Sequence, residues 1–280
     1  MRKGCKSIYE TESLVEVESK VISVSDVFKF QNNEELEKAE EKYLPGSKYE
    51  AFILGATRGS SPSLEELTKD KPKMMIPLGN KPLVQYQIDN FKAVGVSNIK
   101  LAVGYKSEYV EDYILNNVKG GSTYYSKDYD IGYEVSSLIP LHKKSFISYG
   151  DLVYKRTLLH DMLDNTDDCD LVVAVTDKMR DGYTEYITEN GGYVGSSSDV
   201  DNGAIIKDAV GYLIGVMMVN NIEMYNEALN SFNEVITPRM KDLINAMISK
   251  GARIVYVTIP HQSWIDVNDI TNYTDASRLL

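Results

Sequence analysis

Residues 49–83 constrain this chain more than any other stretch. They read Tyr-Glu-Ala-Phe-Ile-Leu-Gly-Ala-Thr-Arg-Gly-Ser-Ser, then a polar loop, then Thr-Lys-Asp-Lys-Pro-Lys-Met-Met-Ile-Pro-Leu-Gly-Asn-Lys-Pro-Leu. An apolar run of the length and composition of a buried parallel strand, residues 51–54, passes directly into a turn of small residues. Gly55, Ala56 and Gly59 let the backbone approach a ligand at the carboxyl end of that strand, where open parallel sheets bind their ligands. Arg58, Lys69, Lys71 and Lys73 follow in a loop broken by Pro62, Pro72 and Pro77. Such a cation cluster suits a nucleoside triphosphate; taken alone, the stretch is equally an ordinary strand–loop connection with a solvated basic face.

The glycine spacing excludes two common phosphate loops. A Walker A loop needs Gly-x-x-x-x-Gly-Lys-Ser/Thr, and Ser60 stands where its second glycine belongs; a dinucleotide fingerprint needs Gly-x-Gly-x-x-Gly, and Thr57 stands at its second glycine. What the stretch resembles is the signature of nucleotidyltransferases with the nucleotide-diphospho-sugar transferase fold: a first strand ending in Leu-Ala-Ala-Gly-x-Gly-x-Arg, a Pro-Lys-x-Leu segment, and Gly-x-Lys-Pro-Leu opening a helix. Lys71-Pro72-Lys73 and Gly79-Asn80-Lys81-Pro82-Leu83 match it well. In the first motif Thr57 replaces a glycine and Arg58 precedes Gly59. This variant resembles the branch fused to phosphoenolpyruvate phosphomutases, whose members are expected to be phosphonate cytidylyltransferases.

The rest of the chain is consistent with an α/β three-layer sandwich around a mostly parallel central sheet. Helical spacing of Val84, Ile88 and Phe91 runs from Pro82 to Gly95, a second apolar strand is expected over 99–103, and a helix over 108–117. Further strands are expected over 123–126, 146–150, 171–175, 210–219 and 253–259, with helices over 156–163 and around 242–248, the latter begun near Thr237-Pro238 and closed at Gly251. Residues 177–202 are polar and rich in Gly and Ser, which suits a meander or lid. Residues 1–48 carry an alternating run and a Glu/Lys-rich helical run. They resemble the tail of the phosphomutase domain, so an extension or linker is expected there and a transferase domain over 49–280. The other reading is an extra strand and helix of the transferase.

Composition narrows the function classes. The net charge of −11 over 280 residues argues against a nucleic-acid partner, whose phosphates call for a basic face. No apolar run approaches the roughly 20 residues that cross a bilayer, and the expectation is a cytoplasmic protein without membrane contact. Cys5 and Cys169 follow no metal-ligand spacing and read as free thiols. An acidic chain handling anions must gather its few cations at the site and recruit metal to cancel charge.

Asp151, at the end of the strand in Tyr149-Gly150-Asp151, is one carboxylate placed for that task. Trp264-Ile265-Asp266-Val267-Asn268 resembles the family's Trp-x-Asp-Ile-Asn, whose aspartate is the second metal ligand; read without the resemblance, this is a helix-capping turn with Asn268 or Asp269 as the cap. Asp128 and Asp130 have a metal-binding spacing but are the weaker pair. The resemblance therefore implies Mg²⁺ held by Asp151 and Asp266. It puts Lys73 and Arg58 on the triphosphate, and Leu54, Gly55, Ala56, Thr57 and Gly59 around the nucleotide with Gly104 and Ser136. It implies CTP and 2-aminoethylphosphonate as substrates, with phosphocholine or a sugar 1-phosphate as the alternative acceptor, while the residues alone leave cytosine against uracil or thymine open; the acids Asp177 and Glu189 are the candidates to meet an acceptor ammonium. A homo-oligomer and a functional link to a phosphoenolpyruvate phosphomutase are compatible with it. With His142, His160 and His261 its only histidines, the chain offers no nucleophile–base pair. A non-catalytic nucleotide-sensing subunit is the reading from another class.

Overall fold

The computed structural model describes residues 44–58, 61–127, 129, 137–166, 168–178, 185–188, 194–196, 209–232 and 239–279. Pro45–Leu280 forms one compact unit, separate from Met1–Leu44. Its elements in chain order are β1 (Glu50–Leu54), α1 (Leu83–Ala93), β2 (Asn98–Val103), α2 (Ser107–Asn117), β3 (Gly121–Tyr125), β4 (Ser145–Tyr149), β5 (Leu152–Tyr154) and α3 (Thr157–Leu163). There follow β6 (Leu171–Thr176), β7 (Glu185–Thr188), β8 (Val194–Ser196), β9 (Ala209–Val219), α4 (Ile222–Asn230), α5 (Met240–Ser249), β10 (Ile254–Ile259), β11 (Trp264–Asp266) and α6 (Ile270–Leu279).

The main sheet runs β10-β6-β9-β4-β1-β2-β3, with β7 attached along the first part of β9 and β8 paired to β7. β1 pairs in parallel with β2 and β4, β2 with β3, and β6 with β10. β9 is antiparallel to both β4 and β6. The carboxyl ends of β1, β2, β4 and β6 therefore share one edge of the sheet. β1 shows why its sequence reads as an uninterrupted apolar run: Ala51 and Ile53 pack on one face with Val84, Ile88 and Phe91 of α1, and Phe52 and Leu54 on the other with Leu138 and Ile147. Both faces of a sheet covered in this way have no polar side to alternate with. α4 and α5 add Tyr225, Leu243, Ile244 and Met247 to the second face, completing three layers.

A third cluster joins Leu64, Ile76, Leu78 and Leu83 of the loop after β1 to Val153, Ile265, Val267 and Ala276 of β5, β11 and α6. It anchors the cation-rich loop against the C-terminal segment. Several elements depart from the sequence expectation. β5 and β11 are short strands hidden inside motifs read as turns. α4 was not expected; its signal is Asn221, whose side chain accepts from the Met224 N–H, ahead of Ile222, Tyr225 and Ala228. The strand expected over 123–126 begins earlier, at Gly121, because Gly120 takes a positive φ of 76° and turns the chain into the sheet. Within the polar stretch expected as a meander, β7 and β8 form an antiparallel hairpin.

Candidate active site

The site is built at the shared sheet edge from the turns after β1, β2, β4 and β6, which hold Gly55, Gly104, Gly150 and Asp177. Those turns are tied to one another by main-chain bonds: the Gly150 N–H donates to Leu54 O at 2.7 Å and the Tyr105 N–H to Ala56 O at 2.8 Å. Gly150 is required by this closeness, since a Cβ there would sit 3.0 Å from Leu54 O and 3.1 Å from Gly55 Cα. The tie holds Asp151 two residues beyond the end of β4.

Asp266 reaches the same place from the far end of the chain. β11 pairs antiparallel with β5, Asp266 opposite Leu152, and the Val267 N–H donates to Asp151 O at 3.0 Å. The two carboxylates are thus fixed side by side by backbone, not by a helix spacing. Between them lie Lys73 and Asn268. Lys73 Nζ is 2.5 Å from Asp151 Oδ2 and donates to Asn268 Oδ1 at 2.9 Å, and Asn268 Nδ2 donates to Asp266 Oδ2 at 2.5 Å. With the Lys73 and Asp151 side chains only 13% and 25% exposed, this ion pair is shielded from the screening that weakens surface pairs.

The donor set of two carboxylates is hard and oxygen-only, which fits a magnesium ion that keeps waters and takes its remaining ligands from substrate phosphates. Among the described residues no three His, Cys, Asp or Glu side chains gather into a larger metal cluster. Asp269, rather than Asn268, caps α6: its Oδ1 accepts from the Asn272 N–H at 2.7 Å. That leaves Asn268 for Lys73, a role sequence reasoning missed.

The other expected cations lie apart from this center. Arg58 is half-exposed, 3.3 Å from Glu65 Oε1, and its guanidinium lies 5.6 Å from the Tyr105 ring center. Lys69 pairs with Glu66 at 2.7 Å, holding the Glu66 carboxyl below its usual range and the Lys69 ammonium above its own. Tyr105 closes the loop by donating to Lys69 O at 2.6 Å. Leu54, Gly55, Ala56 and Thr57 form the turn itself, and Tyr129, which opens the segment that the resemblance puts near the base, packs directly on Gly104. Asp177 is exposed just past β6, with Thr176 Oγ1 donating to it at 3.4 Å. Gly59, Ser136, Glu189, Asp128 and Asp130 lie outside the described residues, although neighbouring Ser137 is fixed by a 2.7 Å bond from Tyr124 to its carbonyl.

No family model matches the chain. The fold is similar to the solved inositol-1-phosphate CTP transferase from T. maritima, with a TM-score of 0.67 and 16% identity over 83% of this chain and 96% of that one. It is similar also to the CTP:phosphocholine cytidylyltransferase from Streptococcus pneumoniae, with a TM-score of 0.60 and 18% identity over 83% and 99% of the two chains. By sequence, the chain is 25% identical over 245 residues to the bifunctional protein GlmU of Acholeplasma laidlawii, covering 82% of this chain and 51% of that protein. It is 29% identical over 133 residues to the CTP:phosphoglutamine cytidylyltransferase of Campylobacter jejuni, covering 44% of this chain and 51% of that protein. The chain spans about half the length of these curated relatives. Among the described residues no helix is long and apolar enough to cross a membrane. The architecture of this chain is therefore that of the nucleotidyltransferases of the nucleotide-diphospho-sugar transferase type.

Proposed function

We propose that this protein is a cytidylyltransferase that activates a phosphonate, 2-aminoethylphosphonate, with CTP to give a CMP-phosphonate and pyrophosphate. The observation that carries the nucleotidyl-transfer reading is the Asp151–Lys73–Asn268–Asp266 chain of contacts at the carboxyl edge of the parallel strands. The phosphonate acceptor is supported by the variant turn Gly55-Ala56-Thr57-Arg58-Gly59 and its resemblance to the mutase-fused branch. A phosphate monoester such as phosphocholine or a sugar 1-phosphate is the second reading, favoured by the acceptors in the names of the relatives.

The reaction is in-line attack of an acceptor oxygen on the α-phosphorus, with pyrophosphate leaving. That oxygen is ionised near neutral pH, so catalysis reduces to positioning and charge neutralisation without a general base. Asp151 and Asp266 would hold Mg²⁺, which supplies a Lewis acid to the acceptor and α-phosphate oxygens when bound. Lys73 directs its ammonium at the transferring phosphate, and Asn268 holds it there. Arg58 and Lys69 exchange their glutamate partners for the β- and γ-phosphates. The N–H groups and small side chains of the turn after β1 let the nucleotide approach the backbone. Asp177 and Glu189 meet the acceptor's ammonium. A panel of four nucleoside triphosphates against aminoethylphosphonate, phosphocholine and glucose 1-phosphate, read by pyrophosphate release with Mg²⁺, tests the reading. Turnover is expected with CTP and aminoethylphosphonate; preference for a phosphate monoester would move the assignment to the second reading, and no release with any pair would overturn nucleotidyl transfer.

A further inference from the structure

Gln87 bears on Asp151 without being near the solvent side of the site. It lies on the inward face of α1 among Val84, Ile88 and Phe91 and is 0% exposed. A buried amide costs free energy unless its hydrogen-bonding groups are all engaged, and here they are. Its Nε2 donates to Tyr149 O at 2.8 Å and to Leu152 O at 3.0 Å, and its Oε1 accepts from Ser148 Oγ at 2.7 Å. Both N–H donors of the amide are thereby spent on the two carbonyls that bracket the Gly150-Asp151 turn. The two carbonyls also fix the amide's orientation, because a flip would set Oε1 against both of them, and Ser148 engages the oxygen that remains. The neighbouring Asn90 makes a bond of the same kind one step further along, from its Nδ2 to Tyr154 O at 2.8 Å.

We infer that Gln87 is a positioning residue for Asp151: it locks the turn between β4 and β5 so that the Asp151 carboxylate faces Asp266 for a divalent cation. This rests on the reading of Asp151 as a metal ligand. Groups that hold a ligating residue from behind commonly change metal affinity by about 10- to 100-fold when removed. The bond made by Asn90 serves as the internal control, since it joins the same helix to the same strand, β5, but beyond the turn.

The test is Mn²⁺ binding to the full chain in the absence of substrates, by electron paramagnetic resonance and calorimetry. Gln87→Met keeps volume and removes all three bonds; it is expected to weaken Mn²⁺ binding roughly tenfold or more, while Asn90→Leu shifts it less than about twofold. Should Gln87→Met fail to fold, Ser148→Ala, which removes the partner of Oε1 and holds the amide less firmly, is expected to weaken binding by a smaller factor. Wild-type affinity in the folded Gln87 variant, or in Ser148→Ala where that one replaces it, overturns the inference, as does equal weakening in Asn90→Leu. Asp151→Asn separates the two levels. If it binds Mn²⁺ as well as the wild type, or if the wild type takes up none, the metal-ligand reading falls and the inference with it; if it loses binding while Gln87→Met does not, only the inference falls.

Discussion

At Lys73 two demands meet in one ammonium: it balances the Asp151 carboxylate in the resting protein, and on the proposed mechanism it serves the transferring phosphate. Its removal is expected to cost on the order of 3 kcal/mol in kcat/KM, the scale for losing a preorganised charge-stabilising donor. The loss should appear in kcat, and a Lys73→Ala enzyme altered only in KM would remove it from the chemistry. Arg58 differs in kind, because its partner Glu65 is 63% exposed and such pairs are worth no more than about 1 kcal/mol. A triphosphate can therefore displace Glu65 readily. Arg58→Ala is expected to raise the KM for CTP with kcat nearly unchanged, and a kcat loss matching that of Lys73→Ala would contradict this. Excess EDTA and Asp266→Ala are each expected to abolish pyrophosphate release with circular dichroism unchanged; full turnover in EDTA would refute the two-aspartate site. At this scale, charge-bearing residues beside prolines and glycines, such as Lys73 and Asp151, were legible. Gln87 was not, because a glutamine within a helix reads as a solvated residue until the fold shows which face it is on. The glutamates beside Arg58 and Lys69 were equally silent, since sequence shows cations but not the carboxylates that fold onto them.

β9 carries the element-scale consequence. It runs antiparallel through an otherwise parallel group of neighbours, and its register shifts between Leu213 and Met217, around Gly215. Gly215 has φ of 82°, and a Cβ there would overlap the Tyr149 ring that ends β4, two residues before Asp151. Gly215→Ala is therefore expected to destabilise the protein by more than the roughly 1–3 kcal/mol of a strained backbone alone. Gly251→Ala isolates that backbone part: Gly251 has φ of 86° at the end of α5, and nothing lies within 4 Å of its would-be Cβ. Equal melting-temperature losses would show that the Tyr149 contact is unimportant. Sequence gave β9 as a plain strand, since an apolar run carries no mark of direction and one internal glycine no mark of φ. The same limit hid β5 and β11, whose three residues each are too few for a period. The longer runs of β1 and β6 were legible because burial on both faces selects apolar residues throughout.

For the molecule as a whole, the buried tyrosines set an alkaline limit. Burial, with a smaller contribution from Cys169, pushes the Tyr49 phenol up to about 12, and burial does the same to Tyr256, while Tyr124, Tyr154 and Tyr225 are raised further. The unfolded chain releases these protons near the ordinary value of 10.0 and the native chain holds them. Stability from these groups is thus complete below pH 10 and is lost as pH climbs toward about 12. Tyrosinate absorbance and circular dichroism should change together in that window; ionisation of every tyrosine near 10 with the fold intact would disprove it. A chain beginning at Pro45 should keep its nucleotide and acceptor preference, and loss of either in a folded truncation would bring residues before Pro45 into the site.

The pairing of β5 with β11 also orders events during synthesis. A chain leaving the ribosome N-terminus first can complete β1, its turn and the β4–Asp151 corner while Asp266, Asn268 and the Ile265, Val267 and Ala276 anchors of the Lys73 loop are still untranslated. On the mechanism proposed here, the nascent protein acquires its grip on a nucleotide before it acquires the second carboxylate that makes transfer possible. A series of ribosome-arrested chains would then show nucleotide binding appearing well before turnover, with turnover switching on only once β11 has cleared the exit tunnel.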